Sequence, residues 1–230
     1  MSASKPVDAT AREAAKIFLK TKSVLFNSRE PFVFTSGRIS PVYVDTRRLI
    51  SFPEERTFLM NAGANLLKEK VGLANIDYVA GGETAGIPFA AYISDRLDKP
   101  MLYVRKKPKG FGRMAQIEGY MDEDGKRVAL VEDLQTDGGS KKVFVDALRN
   151  AGAVVEHAFV VFHYGNFPQS YQNMKDWGLT LHAITTWADV LKVARSEKYF
   201  DEETLKSVEF FLKNPDEWGK QNEHKRPKQA

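Results

Sequence analysis

The sequence predicts an α/β fold, a central parallel sheet flanked by helices. Runs of strand length alternate with helical segments along most of the 230 residues, and that alternation builds parallel sheets covered on both faces. Residues 128–131 are wholly aliphatic and residues 154–162 nearly all apolar, the composition of strands buried on both sides.

Each element has its own local reason. Residues 9–20 read as an amphipathic helix in which Ala14, Ile17 and Phe18 share a face. Residues 32–34 and 42–44 read as short strands around a Ser-Gly-Arg turn. Pro53, with Glu54 and Glu55 in the first turn, opens a helix that runs to about residue 70. A strand at 76–80, a helix at 86–97 and a strand at 101–104 follow, the last ending in a basic loop. Strand 127–132, helix 140–151, strand 154–162, strand 179–184 and helix 187–194 complete the alternation. Beyond residue 196 the pattern supports one helix, at 203–212, and then a basic tail from residue 214 with too few apolar residues to pack, expected to be mobile. The expected organisation is an N-terminal set of elements (1–50), an α/β core (51–195) and a C-terminal helix with its tail (196–230).

Composition excludes several classes. With 43% hydrophobic residues the chain can bury a sizeable core, and with no cysteine it has neither disulfides nor a thiolate metal site. The N-terminus has no apolar leader-like run and no segment approaches a membrane span, so the cytoplasm is expected. The net charge of +4 is spread over short clusters, which suits small anionic substrates; neither a nucleic-acid nor a membrane partner is expected.

Residues 127–140, RVALVEDLQTDGGS, carry the chemistry. Glu132 and Asp133 stand at the carboxyl end of a buried strand, where α/β folds place their binding crevices. Paired carboxylates there accept hydrogen bonds from vicinal ribose hydroxyls, and a Gly-Gly-Ser turn opening a helix offers backbone N–H groups to a phosphate. The competing reading is an ordinary strand-turn-helix corner with Asp137 or Ser140 as a cap. A Walker A loop is absent, since Lys141 follows the serine, and a nucleoside triphosphatase is disfavoured. Arg105, Lys106 and Lys109, broken by Pro108, Gly110 and Gly112, form a basic loop able to move; alone it would read as a solvated surface loop. The formal G-x-G-x-x-A at 110–115 lacks a preceding apolar strand and is discounted as a dinucleotide fingerprint.

The segment VALVEDLQTDGGS resembles the phosphoribosyl-pyrophosphate (PRPP) motif of type I phosphoribosyltransferases. Three more segments narrow the resemblance to the orotate phosphoribosyltransferase family: FTSGRISPVYVD (34–45) is similar to its N-terminal hood element, RKKPKGFG (105–112) to its mobile catalytic loop, and GGETAGIPFA (81–90) to its pyrophosphate loop. The resemblance implies a type I phosphoribosyltransferase fold with a small N-terminal hood. It implies Mg²⁺-dependent transfer of the phosphoribosyl group from PRPP to orotate, in pyrimidine nucleotide synthesis. PRPP would be held by Glu132, Asp133, Leu134, Gln135, Thr136, Asp137, Gly138, Gly139 and Ser140. Asp133, Arg105, Lys106 and Lys109 would be catalytic, the last three closing over pyrophosphate from the neighbouring subunit of a homodimer. Orotate would meet Thr136, Ser36, Arg38 and His163. No protein side chain would ligate the metal strongly; Mg²⁺ would sit near Glu132 and Asp133.

The sequence departs from the family pattern at four places: Thr35 and Ala85 replace lysines, Phe111 a histidine, and His163 lies near where an arginine commonly holds the orotate carboxylate. Two alternatives therefore stay open, a phosphoribosyltransferase for another base and a non-catalytic PRPP-sensing regulator. His157 and His182 read as packed residues. Phe162, Tyr164, Phe167 and Tyr171 could cover a base but suit a core or interface equally well.

Overall fold

The computed structural model describes residues 8–34 and 37–227. They divide into two compact units, one within Met1–Leu49 and Trp187–Ala230, the other Ile50–Thr186.

The Ile50–Thr186 unit holds a six-stranded sheet. In chain order its elements are α2 (Pro53–Lys70), β5 (Tyr78–Gly82), α3 (Gly86–Leu97), β6 (Met101–Val104), β7 (Ile117–Glu118), β8 (Arg127–Gln135), α4 (Gly139–Asn150), β9 (Val154–His163), α5 (Pro168–Asp176) and β10 (Thr180–Thr186). The strand order is β10-β9-β8-β5-β6-β7. All neighbours run parallel except the edge pair β6–β7. Because side chains alternate along a strand, the central strands feed two cores. Tyr78, Ala80, Val128, Leu130 and Ala158 join Phe144 and Leu148 of α4 in one. Phe159 points to the other, where α2 and α3 pack; a Cβ on Gly63 of α2 would lie 2.5 Å from the Phe159 ring, so only glycine admits that approach.

The strand polarity follows from the helix-linked connections, since parallel neighbours need crossovers. Every carboxyl end in β5, β6, β8, β9 and β10 therefore faces the same edge of the sheet, and that edge carries the Glu132–Ser140 segment.

The other unit contains α1 (Ala9–Lys20), β1 (Val24–Phe26), β2 (Phe32–Val33), β3 (Ile39–Ser40), β4 (Val42–Val44), α6 (Trp187–Ser196), α7 (Glu202–Lys213) and α8 (Pro215–Asn222). β1 pairs with β4 and β2 with β3, both antiparallel. Trp187 is buried against the edge of Phe26, which stacks on Phe200.

Residues 215–222 form a helix where the sequence reading expects an unstructured tail. Trp218, 1% exposed, packs edge-on against Phe211 and donates from Nε1 to Ser207 Oγ at 2.9 Å. Lys225 Nζ and Arg226 Nη1 then donate to the Ser28 and Gly37 carbonyls. One tryptophan among charged neighbours leaves no periodicity to detect, yet it buries a large apolar surface. No described helix is long and apolar enough to cross a membrane.

Candidate active site

β8 runs three residues further than its apolar stretch suggests, through Gln135, held in register by β9. Glu132 therefore belongs to the sheet rather than to a loop. It is 7% exposed, and its Oε1 is buried with no hydrogen-bond partner. The carboxylate fits because two neighbours lack side chains. A Cβ on Gly82 of β5 would fall 1.7 Å from Oε1, and one on Gly86 of α3 would fall 2.7 Å from it. Burial raises the Glu132 carboxyl to about 7, and the charge of Asp133 adds to the rise. Lys141, the Gly82 N–H and Lys106 oppose it. Asp133 is half-buried beside it.

The turn after β8 is built for a close backbone approach. Gly138 adopts φ +89°, and Gly139 opens α4. The Asp137 carboxylate accepts a hydrogen bond from the Gly139 N–H at 3.2 Å and one from Thr136 Oγ1 at 3.3 Å. An anion thus already faces the start of this helix, supplied by the chain itself. Asn173 of α5 donates to the Asp137 carbonyl at 2.9 Å and anchors the turn from the side.

The turn is shorter than the sequence reading expects. Leu134 and Gln135 are strand residues. The Gln135 amide, 1% exposed, turns inward and donates to Ser170 Oγ at 2.7 Å. His163 at the end of β9 meets the same hydroxyl, Nε2 to Oγ 3.0 Å, with Tyr171 edge-on to its ring. Burial and the nearby Lys141 charge push the His163 imidazole down to about 4, so it is a neutral, inward-bonded group at neutral pH.

Two further segments approach from β5 and β6. The Glu83–Thr84 peptide after β5 is cis. Glu83 accepts the Lys106 backbone N–H at 2.7 Å, tying the basic loop's root to the loop after β5. Arg105 sits at that root, half-buried, 3.4 Å from Glu118 of β7, with its Nε buried and unpartnered. Lys106, Lys109 and Phe111 are exposed, and Gly110 and Gly112 both take positive φ. Arg113 is held by Asp124 at 2.5 Å and so anchors the loop's far side.

The carboxylates, the turn after β8, the loop after β5 and the basic loop therefore all belong to one unit. Arg38 lies in the other unit, where its Nη2 pairs with Asp216 at 2.8 Å. Thr35, Ser36 and the Ser140 side chain lie outside the described residues. Gly82, Gly86 and the buried cluster of Lys141, Gln135, His163 and Ser170 were not singled out by sequence reasoning as a group. For the glycines a signal existed, a Gly pair closing a strand interior; the cluster assembles only in three dimensions.

The phosphoribosyl transferase domain family matches residues 58–188. The chain is 52% identical over 208 residues to an orotate phosphoribosyltransferase of Agrobacterium fabrum, covering 90% of this chain and 89% of that one. It is 53% identical over 208 residues to that of Jannaschia sp., covering 90% and 91%. Among solved structures, the orotate phosphoribosyltransferase of Aeropyrum pernix is similar with a TM-score of 0.65 at 29% identity, over 80% of this chain and 99% of that one.

Proposed function

The chain belongs to the orotate phosphoribosyltransferases, and from that membership we propose that Glu132, Asp133 and the 136–140 turn hold PRPP while the 105–112 loop covers its pyrophosphate. The enzyme is a pentosyltransferase that joins the phosphoribosyl group of PRPP to orotate. The unpartnered, buried Oε1 of Glu132 at the carboxyl end of β8 supports the assignment of residues, because a buried carboxylate without a full set of protein donors is a feature that packing alone does not explain.

Orotate N1 forms a bond to C1 of the ribose as the C1–O bond to pyrophosphate breaks, and the N1 proton passes to solvent or to the departing pyrophosphate. Positive charge grows on the ribose and negative charge on the leaving group, so the protein contributes mainly position and field. Glu132 and Asp133 accept from the ribose hydroxyls and stabilise the cationic ring. The 5′-phosphate takes the N–H groups at the start of α4, which requires the Asp137 carboxylate to yield the Gly139 N–H it now occupies. Arg105, Lys106 and Lys109 stabilise the departing pyrophosphate and exclude water. Thr136 meets the base. His163, bonded to Ser170, supports the floor of the site through that hydroxyl rather than as a cation.

Mg²⁺ fits these donors. Two hard carboxylates occupy successive positions at the carboxyl end of β8, one with an unpartnered oxygen, and no group of three or more His, Cys, Asp or Glu among the described residues could cage a metal. Glu132 and Asp133 would hold Mg²⁺ indirectly, the rest of its ligands coming from water and substrate oxygens. The bound ion supplies charge neutralisation for pyrophosphate. The same reading gives a homodimer in the cytoplasm, serving pyrimidine nucleotide synthesis.

Steady-state assays with orotate, PRPP and Mg²⁺ test the assignment. Asp133→Asn is expected to lower kcat by roughly 10²–10³-fold with unchanged circular dichroism; a folded variant with near-native rates would remove Asp133 from the site.

A further inference from the structure

We propose that Lys141 is a positioning residue for PRPP: from inside the core its amine holds the Leu134 carbonyl and stands as counter-charge to Glu132, Asp133 and Asp137. This rests on the placement of PRPP at Glu132–Ser140. Lys141 lies on the inward stripe of α4 with Phe144, Val145 and Leu148, all buried. A core helix calls for an aliphatic side chain at that position. A lysine there, 1% exposed, gives up its hydration, and the packing of α4 gives nothing in return that leucine would not.

What the lysine does instead is specific. Its Nζ donates to the Leu134 carbonyl at 3.1 Å, at the point where β8 is about to leave the sheet for the phosphate turn. Burial pushes the Lys141 amine down from its ordinary value, and acids from three positions of the same segment, Glu132 and Asp133 before the turn and Asp137 within it, oppose that fall and favour the cation. Three carboxylates around a site for a multiply charged anion would repel that anion. One internal cation offsets part of their field, and the Leu134 tie turns that carbonyl into the core, away from the incoming phosphate. Lys141 touches no substrate, so its effect falls on sugar-phosphate binding and spares the base.

Kinetics of Lys141→Met, alongside wild type and Asp133→Asn, decide it. The expected result is a PRPP KM raised tenfold or more, an orotate KM within twofold of wild type, and a native circular dichroism spectrum. Lys141→Gln keeps a donor for Leu134 without the charge and serves if the Met variant does not fold; the same PRPP-selective loss is expected. An unchanged PRPP KM in a folded variant overturns the proposal, as does an equal loss for both substrates. Failure of both variants to fold also overturns it, because the lysine would then serve the fold alone. If Asp133→Asn leaves PRPP kinetics intact, the placement of PRPP fails instead, a result separable from a native-like Lys141→Met beside a crippled Asp133→Asn.

Discussion

Glu132 is a buried carboxyl whose ionisation lies near neutrality, about 7, chiefly because of burial. Only the ionised form presents both oxygens as acceptors, so PRPP capture should depend on pH within the physiological range. For the free enzyme, kcat/KM for PRPP reports the ionisations of the unliganded site. It is expected to rise as pH increases from 6 to 8, with an acid limb centred near 7. Glu132→Gln should be slower by about 10²-fold and should lose that limb, since the amide does not titrate across it. An acid limb that persists unchanged in Glu132→Gln would assign the ionisation to another group. The glycines at 82 and 86 belong to the same argument: they exist to leave the space that this carboxylate fills.

The basic loop is tied at its root and exposed beyond it. Its root is fastened by Lys106 N–H to Glu83 and by Arg105 to Glu118, while Lys109 and Phe111 stand in solvent. If the loop serves the neighbouring subunit, Lys106→Ala and Asp133→Asn chains, each nearly inactive, should complement when mixed and allowed to exchange. A hybrid dimer would own one intact site, and random pairing should restore about a quarter of wild-type activity. No recovery from subunits shown to exchange would confine the loop to its own chain. This loop was legible in the sequence because Pro108 and the glycines forbid a helix, and β8 with its carboxylates was legible because aliphatic residues precede two acids directly. Helices α1, α2 and α3 begin and end where periodicity and Pro53 put them. Most of what escaped had no local signal, α5 with Pro168 in its first turn being the exception. β1, β3 and β7 span two or three residues each, too few for a period, and α8 depends on one tryptophan. The extension of β8 through Gln135 escaped for a different reason: its polar residues look like loop, and only pairing with β9 and the hydroxyl of Ser170 make them strand.

Across the whole chain, the buried titratable groups set how stability responds to acid. Burial lowers His163 and His182 from 6.5 to about 4, His157 adding to the effect at His182. Between those values the unfolded chain binds a proton at each histidine and the folded chain does not, so their contribution is present at neutral pH and lost as pH falls from about 6.5 to about 4. Glu132 acts in the opposite sense. Its folded value is raised from 4.5 to about 7, so the folded chain holds a proton that the unfolded chain releases, and stability gains as pH falls through that window. With Lys141 charged in both states, as its counter-charge role requires, two histidines against one carboxyl leave the unfolded chain about one proton ahead near pH 5.5, a slope of about 1.4 kcal/mol per pH unit. Unfolding free energies from urea titrations between pH 4.5 and 6.5 should fall with acid at that rate. Removing one histidine, as in His182→Asn, should make the profile nearly flat, because the remaining histidine and Glu132 cancel. Glu132→Gln should steepen it toward about 2.7 kcal/mol per pH unit, since nothing then offsets the two imidazoles. A wild-type slope that matches Glu132→Gln would mean that Glu132 ionises normally in the folded protein, and the buried acceptor on which the PRPP assignment stands would be lost with it.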